Sequence, residues 1–382
     1  MRERNFQKVA IIADQMISFG GADREMFSML KLFPNADIFT IAFNSEAYGD
    51  IKQKVHTSFV QRIPKPKSFY RHLKILTPLA YESFDLRGYD LVISISAGPA
   101  RGVITGIDQS HIAMVMTPPR SLWDNELNVR ASRLKKMYRA FSTLLNTYMR
   151  MWDFTISKRV DYWTANSKYI AKKIKKRYGV EATIIYPGLS KESFECISDM
   201  TRGKVRERYG IRGEFVLVVS RLYDYKRIDW AIRACIENNR QLVIIGEGPD
   251  IKYLKSVAKG NPLVKFLGFL KDDAEVRVFY NMAEVLLFCG IEDFGLVPVE
   301  AMAQGTPVLA YSEGGVLETV TRGICGDFFS NEKELVNVLK KFDNRGYNPT
   351  EIVNRAREFT EEIFLDNLDK YIKGVYDTER KK

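Results

Sequence analysis

Glu292 and Glu300 stand eight positions apart in the stretch Ile291-Glu-Asp-Phe-Gly-Leu-Val-Pro-Val-Glu-Ala-Met-Ala-Gln-Gly305. Pro298 suits the first turn of a helix and Gly305 its C-terminal cap, so the spacing predicts a short helix over 298–304. Free backbone N–H groups and a positive partial charge at such an N-terminus form a site for a phosphate or another anion. With helical geometry throughout, the two carboxylates would lie about 12 Å apart at ~1.5 Å per residue, able to grip opposite ends of one ligand. On spacing alone the same residues read equally as an exposed acidic turn followed by a glutamate favoured by the helix dipole.

Arg221 and Lys226 stand five positions apart, directly after the apolar run Glu214-Phe-Val-Leu-Val-Val-Ser220. A bidentate guanidinium and a point-charge ammonium suit a diphosphate. Two basic residues in a loop are otherwise ordinary surface, and it is their place at a strand end that ties them to the glutamates. Gly20-Gly21-Ala22 follows the first apolar run and allows close backbone approach to a ligand, without the G-x-G-x-x-G spacing. Neither a Walker A sequence nor a G-x-S-x-G elbow occurs. Cysteines 196, 235, 289 and 325 and histidines 56, 72 and 111 show no metal-ligand spacing, and Asp272-Asp273 lies in a polar loop, so neither metal nor cofactor is expected. His111, at the start of a strand, reads as structural.

The elements that must position these groups alternate. Short apolar runs at 9–13, 36–42, 90–96, 112–116, 162–166 and 183–186 are interleaved with helical stretches near 24–33 and 67–86. After a polar stretch from Ser190 to Gly213 the pattern restarts, with strands at 214–220, 241–246, 264–267, 284–288 and 307–311. The helices between them fall at 231–238, 253–258, 274–282 and 298–304. This is an α/β pattern of two Rossmann-like domains, whose ligand is expected at the carboxyl ends of the strands, in a cleft between the halves. At 382 residues the chain exceeds what one core usually supports, about 250 to 300. The expected domains are 1–189, 190–358 and a helical segment 359–382 packing back on the first. No apolar stretch approaches the ~20 residues of a membrane span, and residues 1–10 lack a signal-peptide core, so a cytoplasmic protein is expected.

Charge is uneven. Residues 1–190 hold 29 Lys+Arg against 16 Asp+Glu, a net of +13, and the remainder is at −2. Basic clusters lie at Arg62 to Lys74, Arg130 to Arg139 and Lys168 to Arg177. Such an excess serves nucleic acid, an anionic membrane or a phosphorylated substrate, or is simply solvated helix surface. No nucleic-acid recognition motif accompanies it.

Together these residues resemble the family 4 retaining glycosyltransferases, which carry two facing Rossmann-like domains in the B-type glycosyltransferase fold. The strongest element is the E-x7-E signature from Glu292 to Glu300. Ser220-Arg221 with Lys226-Arg227-x-Asp229 is similar to the family's diphosphate segment, and Gly314-Gly315-x-x-Glu318 to its following loop. Gly20-Gly21-Ala22-Asp23-Arg24, and Thr117-Pro118-Pro119-Arg120 with Trp123-Asp124, resemble a branch of mannosyltransferases that build surface glycans. The resemblance implies that Glu300 binds the ribose hydroxyls of a nucleotide and Glu292 contacts the transferred hexose. Arg221 and Lys226 would hold the diphosphate with backbone N–H groups at Phe294, Gly295 and Leu296, while Gly20 and Gly21 close over it. Phe269, within Phe266 to Leu270, falls in the nucleobase wall. Met116, Thr117, Arg120 and Asp124 fall near the donor sugar or the acceptor. Met116 stands where many members of that branch have a histidine, and methionine cannot carry a proton. The implied activity is metal-independent transfer of a mannose or glucose from a GDP- or UDP-linked sugar to a lipid-linked or polysaccharide acceptor, at the inner face of an anionic membrane. A soluble phosphorylated acceptor, or a silent nucleotide-sugar-binding subunit, is the alternative.

Overall fold

The computed structural model describes residues 6–18, 20–63, 74–124 and 136–381. Most of the basic clusters at Arg62 to Lys74 and Arg130 to Arg139, and the first part of the helix expected over 67–86, lie outside the described residues. The chain divides into two compact units, Met1–Tyr186 with Phe364–Lys382, and Pro187–Ile363.

In the first unit, seven strands form one parallel sheet: β1 (Val9–Ala13), β2 (Asp37–Thr40), β3 (Val55–Thr57), β4 (Leu91–Ser96), β5 (Ser110–Val115), β6 (Tyr162–Ala165) and β7 (Thr183–Ile184). Their order is β3-β2-β1-β4-β5-β6-β7. β1, β4 and β5 are buried along their whole length, which is why they read as largely apolar stretches, with Ser94, Ser96, Ser110 and His111 buried among them. The last helix, Glu361–Glu379, adds Phe364, Leu368, Ile372 and Val375 to the core that holds Ile11, Ile38 and Ile93. Burying each such side chain contributes about 1.5–3 kcal/mol.

A polar knot ties four further elements of this unit together. Asp153, on the helix Lys136–Ile156, pairs with Arg101, on the turn Pro99–Gly102 after β4; their side chains are 2% and 1% exposed. The same carboxylate accepts from Tyr178 Oη at 2.8 Å and from Trp123 Nε1 at 2.8 Å. Tyr178 ends the helix Lys168–Tyr178 and Trp123 ends the short helix Arg120–Trp123.

His111 on β5 is fully buried, with Nε2 2.9 Å from Ser94 Oγ on β4. Burial pushes its imidazole down to about 4 from the usual 6.5. A histidine held neutral contributes stability that is complete above pH 6.5 and is lost as the pH falls toward 4, because the unfolded chain takes up the proton first. Wild-type protein is therefore expected to lose ~3 kcal/mol more than His111→Gln between those limits. Denaturant titrations across that pH range check this, and parallel curves would overturn it.

The second unit carries a six-stranded parallel sheet: β8 (Val216–Val219), β9 (Leu242–Ile245), β10 (Val264–Gly268), β11 (Val285–Phe288), β12 (Val308–Tyr311) and β13 (Gly326–Phe329). Its order is β10-β9-β8-β11-β12-β13. The polar stretch after Ser190 holds the helix Asp199–Tyr209, which buries Val205 alone and so gives almost no apolar signal. In both sheets the order reverses beside the first strand, between β1 and β4 and between β8 and β11, and such reversals leave a crevice at the carboxyl edge.

Candidate active site

Lys226 and Glu292 meet at the reversal of the second sheet. Lys226 closes the turn Asp224–Lys226 after β8; Glu292 lies four residues beyond β11. The Lys226 ammonium is ion-paired with Glu292 Oε1, and the lysine is buried. A recess beside it is lined by Val218, Ser220, Phe288, Cys289 and Gly290. A Cβ on Gly290 would lie 3.0 Å from Lys226 Cδ, so a small residue is needed for the lysine to pass.

The helix N-terminus is at the same edge. Gly295, at φ 94°, turns the chain into the helix Leu296–Ala303, and Gly305, at φ 78°, ends it. Glu292 therefore lies outside the helix, and the 12 Å separation that assumes helical geometry throughout does not apply. Glu292 instead bridges Gly314, and the Gly315 N–H donates to the Glu292 carbonyl at 2.9 Å. A Cβ on Gly315 would lie 2.2 Å from the Asp293 carbonyl oxygen, so this glycine pair is what lets the loop after β12 press on the acidic loop. The first N–H groups of the helix have no partner within it, which suits an anion. Phe294 is buried with its ring 5.5 Å from Phe359, so it offers a ligand its backbone only.

The other expected residues are more dispersed. Glu300 sits inside the helix and accepts from Tyr280 Oη at 2.8 Å. Arg221 is exposed, its guanidinium 5.7 Å from the Tyr223 ring. Phe269 follows β10 and is exposed. Asp229 of the Lys-Arg-x-Asp segment accepts from Arg233 at 2.9 Å and from Tyr253 at 3.2 Å, a structural role. Two glycines escape the sequence reading. A Cβ on Gly246 or Gly248 would fall 2.0 Å from the Ser220 carbonyl oxygen or 2.3 Å from that of Leu222, so both seat the loop carrying Arg221. The signal was a G-x-G-Pro directly after a buried strand.

In the first unit, the Gly20 N–H donates to Asp23 at 2.7 Å, Asp23 accepts from Tyr48 at 2.9 Å, and Gly21 begins the helix Gly21–Leu30. Met116 packs against the core, and Thr117 donates to the Pro118 carbonyl at 3.1 Å. Arg120 opens the helix that Trp123 closes. Asp124 receives Arg177 at 2.5 Å and Lys173 at 3.3 Å, so part of the Lys168 to Arg177 cluster is committed within the fold. Asp14, just past β1, accepts from Ser96 Oγ and the Ala97 N–H, each at 2.8 Å, and burial raises its carboxyl above the usual range. The acid directly ending the first apolar run was its sign in the sequence.

The profile of the family described as glycosyl transferases group 1 matches residues 202–359. An alpha-monoglucosyldiacylglycerol synthase of Acholeplasma laidlawii is 33% identical over 45% of this chain and 46% of its own. A GDP-mannose-dependent alpha-(1-6)-phosphatidylinositol monomannoside mannosyltransferase of Mycolicibacterium smegmatis is 31% identical over 45% of this chain and 49% of its own. The chain spans about half the length of the curated relatives it matches. The crystal structure of Anabaena HepE in complex with UDP superposes with a TM-score of 0.69 at 17% identity, covering 96% of this chain and 100% of that one, a likeness of fold. Residues 202–359 are thus similar to the group 1 glycosyl transferases, and the two parallel α/β units have the B-type glycosyltransferase fold.

Proposed function

We propose that this protein transfers a hexose, mannose or glucose, from a UDP- or GDP-linked sugar to a lipid-linked or polysaccharide glycan acceptor, with retention and without a metal. The observation that carries this is the meeting of buried Lys226 with Glu292 beside a helix N-terminus, inside the family region. A bound diphosphate competes with Glu292 for the ammonium, which turns the carboxylate toward sugar hydroxyls. Lys226, Arg221 and the N–H groups at Gly295 and Leu296 then supply the positive charge a leaving diphosphate needs, in place of a divalent ion. Glu300 is assigned to the ribose and Phe269 to the edge of the base. With Met116 offering no proton acceptor, a donor phosphate oxygen takes the acceptor's proton during front-face attack, and catalysis rests on positioning.

The acceptor is assigned to the first unit, from its +13 charge over residues 1–190. Each basic residue near an anionic bilayer adds about 1 kcal/mol of attraction, so peripheral association with the cytoplasmic face is proposed. The diacylglycerol and phosphatidylinositol in the names of the two relatives support a lipid acceptor. No helix among the described residues is long and apolar enough to cross a membrane.

Thermal shifts with UDP, GDP and their sugar conjugates test the donor, since a ligand raises the melting point by mass action. Absence of any shift would overturn the reading. Polyprenyl-phosphate-linked and soluble phosphorylated acceptors then separate the two acceptor classes, and slow donor hydrolysis distinguishes an enzyme from a silent subunit. Gly315→Ala is expected to displace the acidic loop and weaken nucleoside diphosphate binding about tenfold, ~1.4 kcal/mol, as titration calorimetry would record.

A further inference from the structure

Among the described residues, the helix Lys136–Ile156 leaves an apolar face exposed to solvent. Leu144, Tyr148 and Met151 are 70%, 50% and 66% exposed, at the i, i+4, i+7 spacing of a single stripe. The opposite side is spent inward, on Met149, Asp153 and Ile156. Phe154 borders the stripe, also exposed, with the Lys158 ammonium 5.3 Å from its ring. The turn Lys74–Leu76 lies against the same helix and exposes Ile75, and Leu79 follows, exposed, in the helix Thr77–Glu82. Contiguous apolar surface of this kind marks an interaction site.

The geometry points to this helix as the membrane-docking element, its stripe sunk into the headgroup boundary of an anionic bilayer. Charge selects that occupant. The helix contains Lys136, Arg139 and Arg150 against one acid, Asp153, which is buried on Arg101. An apolar stripe with cations and no exposed acid fits an interfacial helix. A second copy would set like charge against like over a segment of net +13. The inference rests on the membrane part of the proposed function and not on its donor site.

The test is co-sedimentation with phosphatidylglycerol-containing and pure phosphatidylcholine vesicles. The triple variant Leu144→Ser, Tyr148→Ser, Met151→Ser is expected to bind the anionic vesicles at least about tenfold more weakly than wild type. In parallel, Cys196→Ser/Leu144→Cys labelled with an environment-sensitive dye is expected to shift to the blue on the same vesicles. Unchanged binding by the triple variant, or a dye that stays solvent-like, overturns the docking helix and leaves peripheral association standing. Failure of wild type to bind overturns both. A wild-type dimer dissolved by the triple variant, with vesicle binding intact, assigns the stripe to self-association and also overturns it. Nucleotide thermal shifts on the same samples report the donor site separately.

Discussion

Lys226→Ala is expected to lower kcat/KM for the nucleotide-sugar donor about 100-fold, ~2.7 kcal/mol of lost transition-state stabilisation. The lysine is buried, so its charge acts in a medium far less polar than water and is little screened. Its removal also leaves the Glu292 carboxylate without its cation. The same change at Arg221 is expected to cost less than about tenfold, because that guanidinium is exposed and screened. Lys226→Arg is not expected to rescue, since the lysine stem passes tightly over Gly290 and a guanidinium is broader. Steady-state kinetics of the three variants check the order, and near-normal turnover by Lys226→Ala would mean the site is misassigned.

Asp153→Ala is expected to remove about 3–5 kcal/mol of stability, since it strands the Arg101 charge in the core along with the Trp123 and Tyr178 donors. For a unit of this size that is a fall in melting temperature of roughly 6–20 °C. The instructive comparison is Arg101→Met/Asp153→Leu. Removing both charges with apolar replacements is expected to restore most of the loss, because the pair's mutual attraction is largely offset by its desolvation. Calorimetry on the single and double variants decides: a double variant no more stable than Asp153→Ala would show that the pair itself stabilises the fold. Asp153→Ala is also expected to loosen the segment from Thr117 to Asp124, which Trp123 tethers to this carboxylate.

The fold was legible wherever a strand is buried on both faces. Leu91–Ser96 and Val285–Phe288 stand out in sequence because a parallel sheet covered by helices favours largely apolar strands. It was illegible where elements are marginal or polar. β3 has three half-exposed or exposed residues, β13 begins Gly-Asp, and Asp199–Tyr209 buries one side chain. The start of the helix Lys136–Ile156 reads first as part of a basic cluster, and its residues Leu144, Tyr148 and Met151 are exposed. Spacing singled out Glu292, Glu300, Arg221 and Lys226, of which only Lys226 and Glu292 meet, while Glu300 lies inside a helix on Tyr280. It could not show that Lys226 and Glu292 would pair while Arg221 stays exposed, since that depends on where loops after β8 and β11 converge. Asp124 illustrates the same limit, its partners Lys173 and Arg177 lying about fifty positions away on another helix.

The closing helix has a consequence for biogenesis. The backbone leaves the first unit at Tyr186 and returns to it only at Phe364, so Phe364, Leu368, Ile372 and Val375 emerge from the ribosome only after the whole second unit has been made. The intervening unit is contiguous and can mature while translation continues, whereas the earlier-made sheet must wait for its final layer. The usual vectorial order of maturation is thereby inverted. Part of the core face of β1 and β4 stays uncovered throughout the synthesis of the whole second unit.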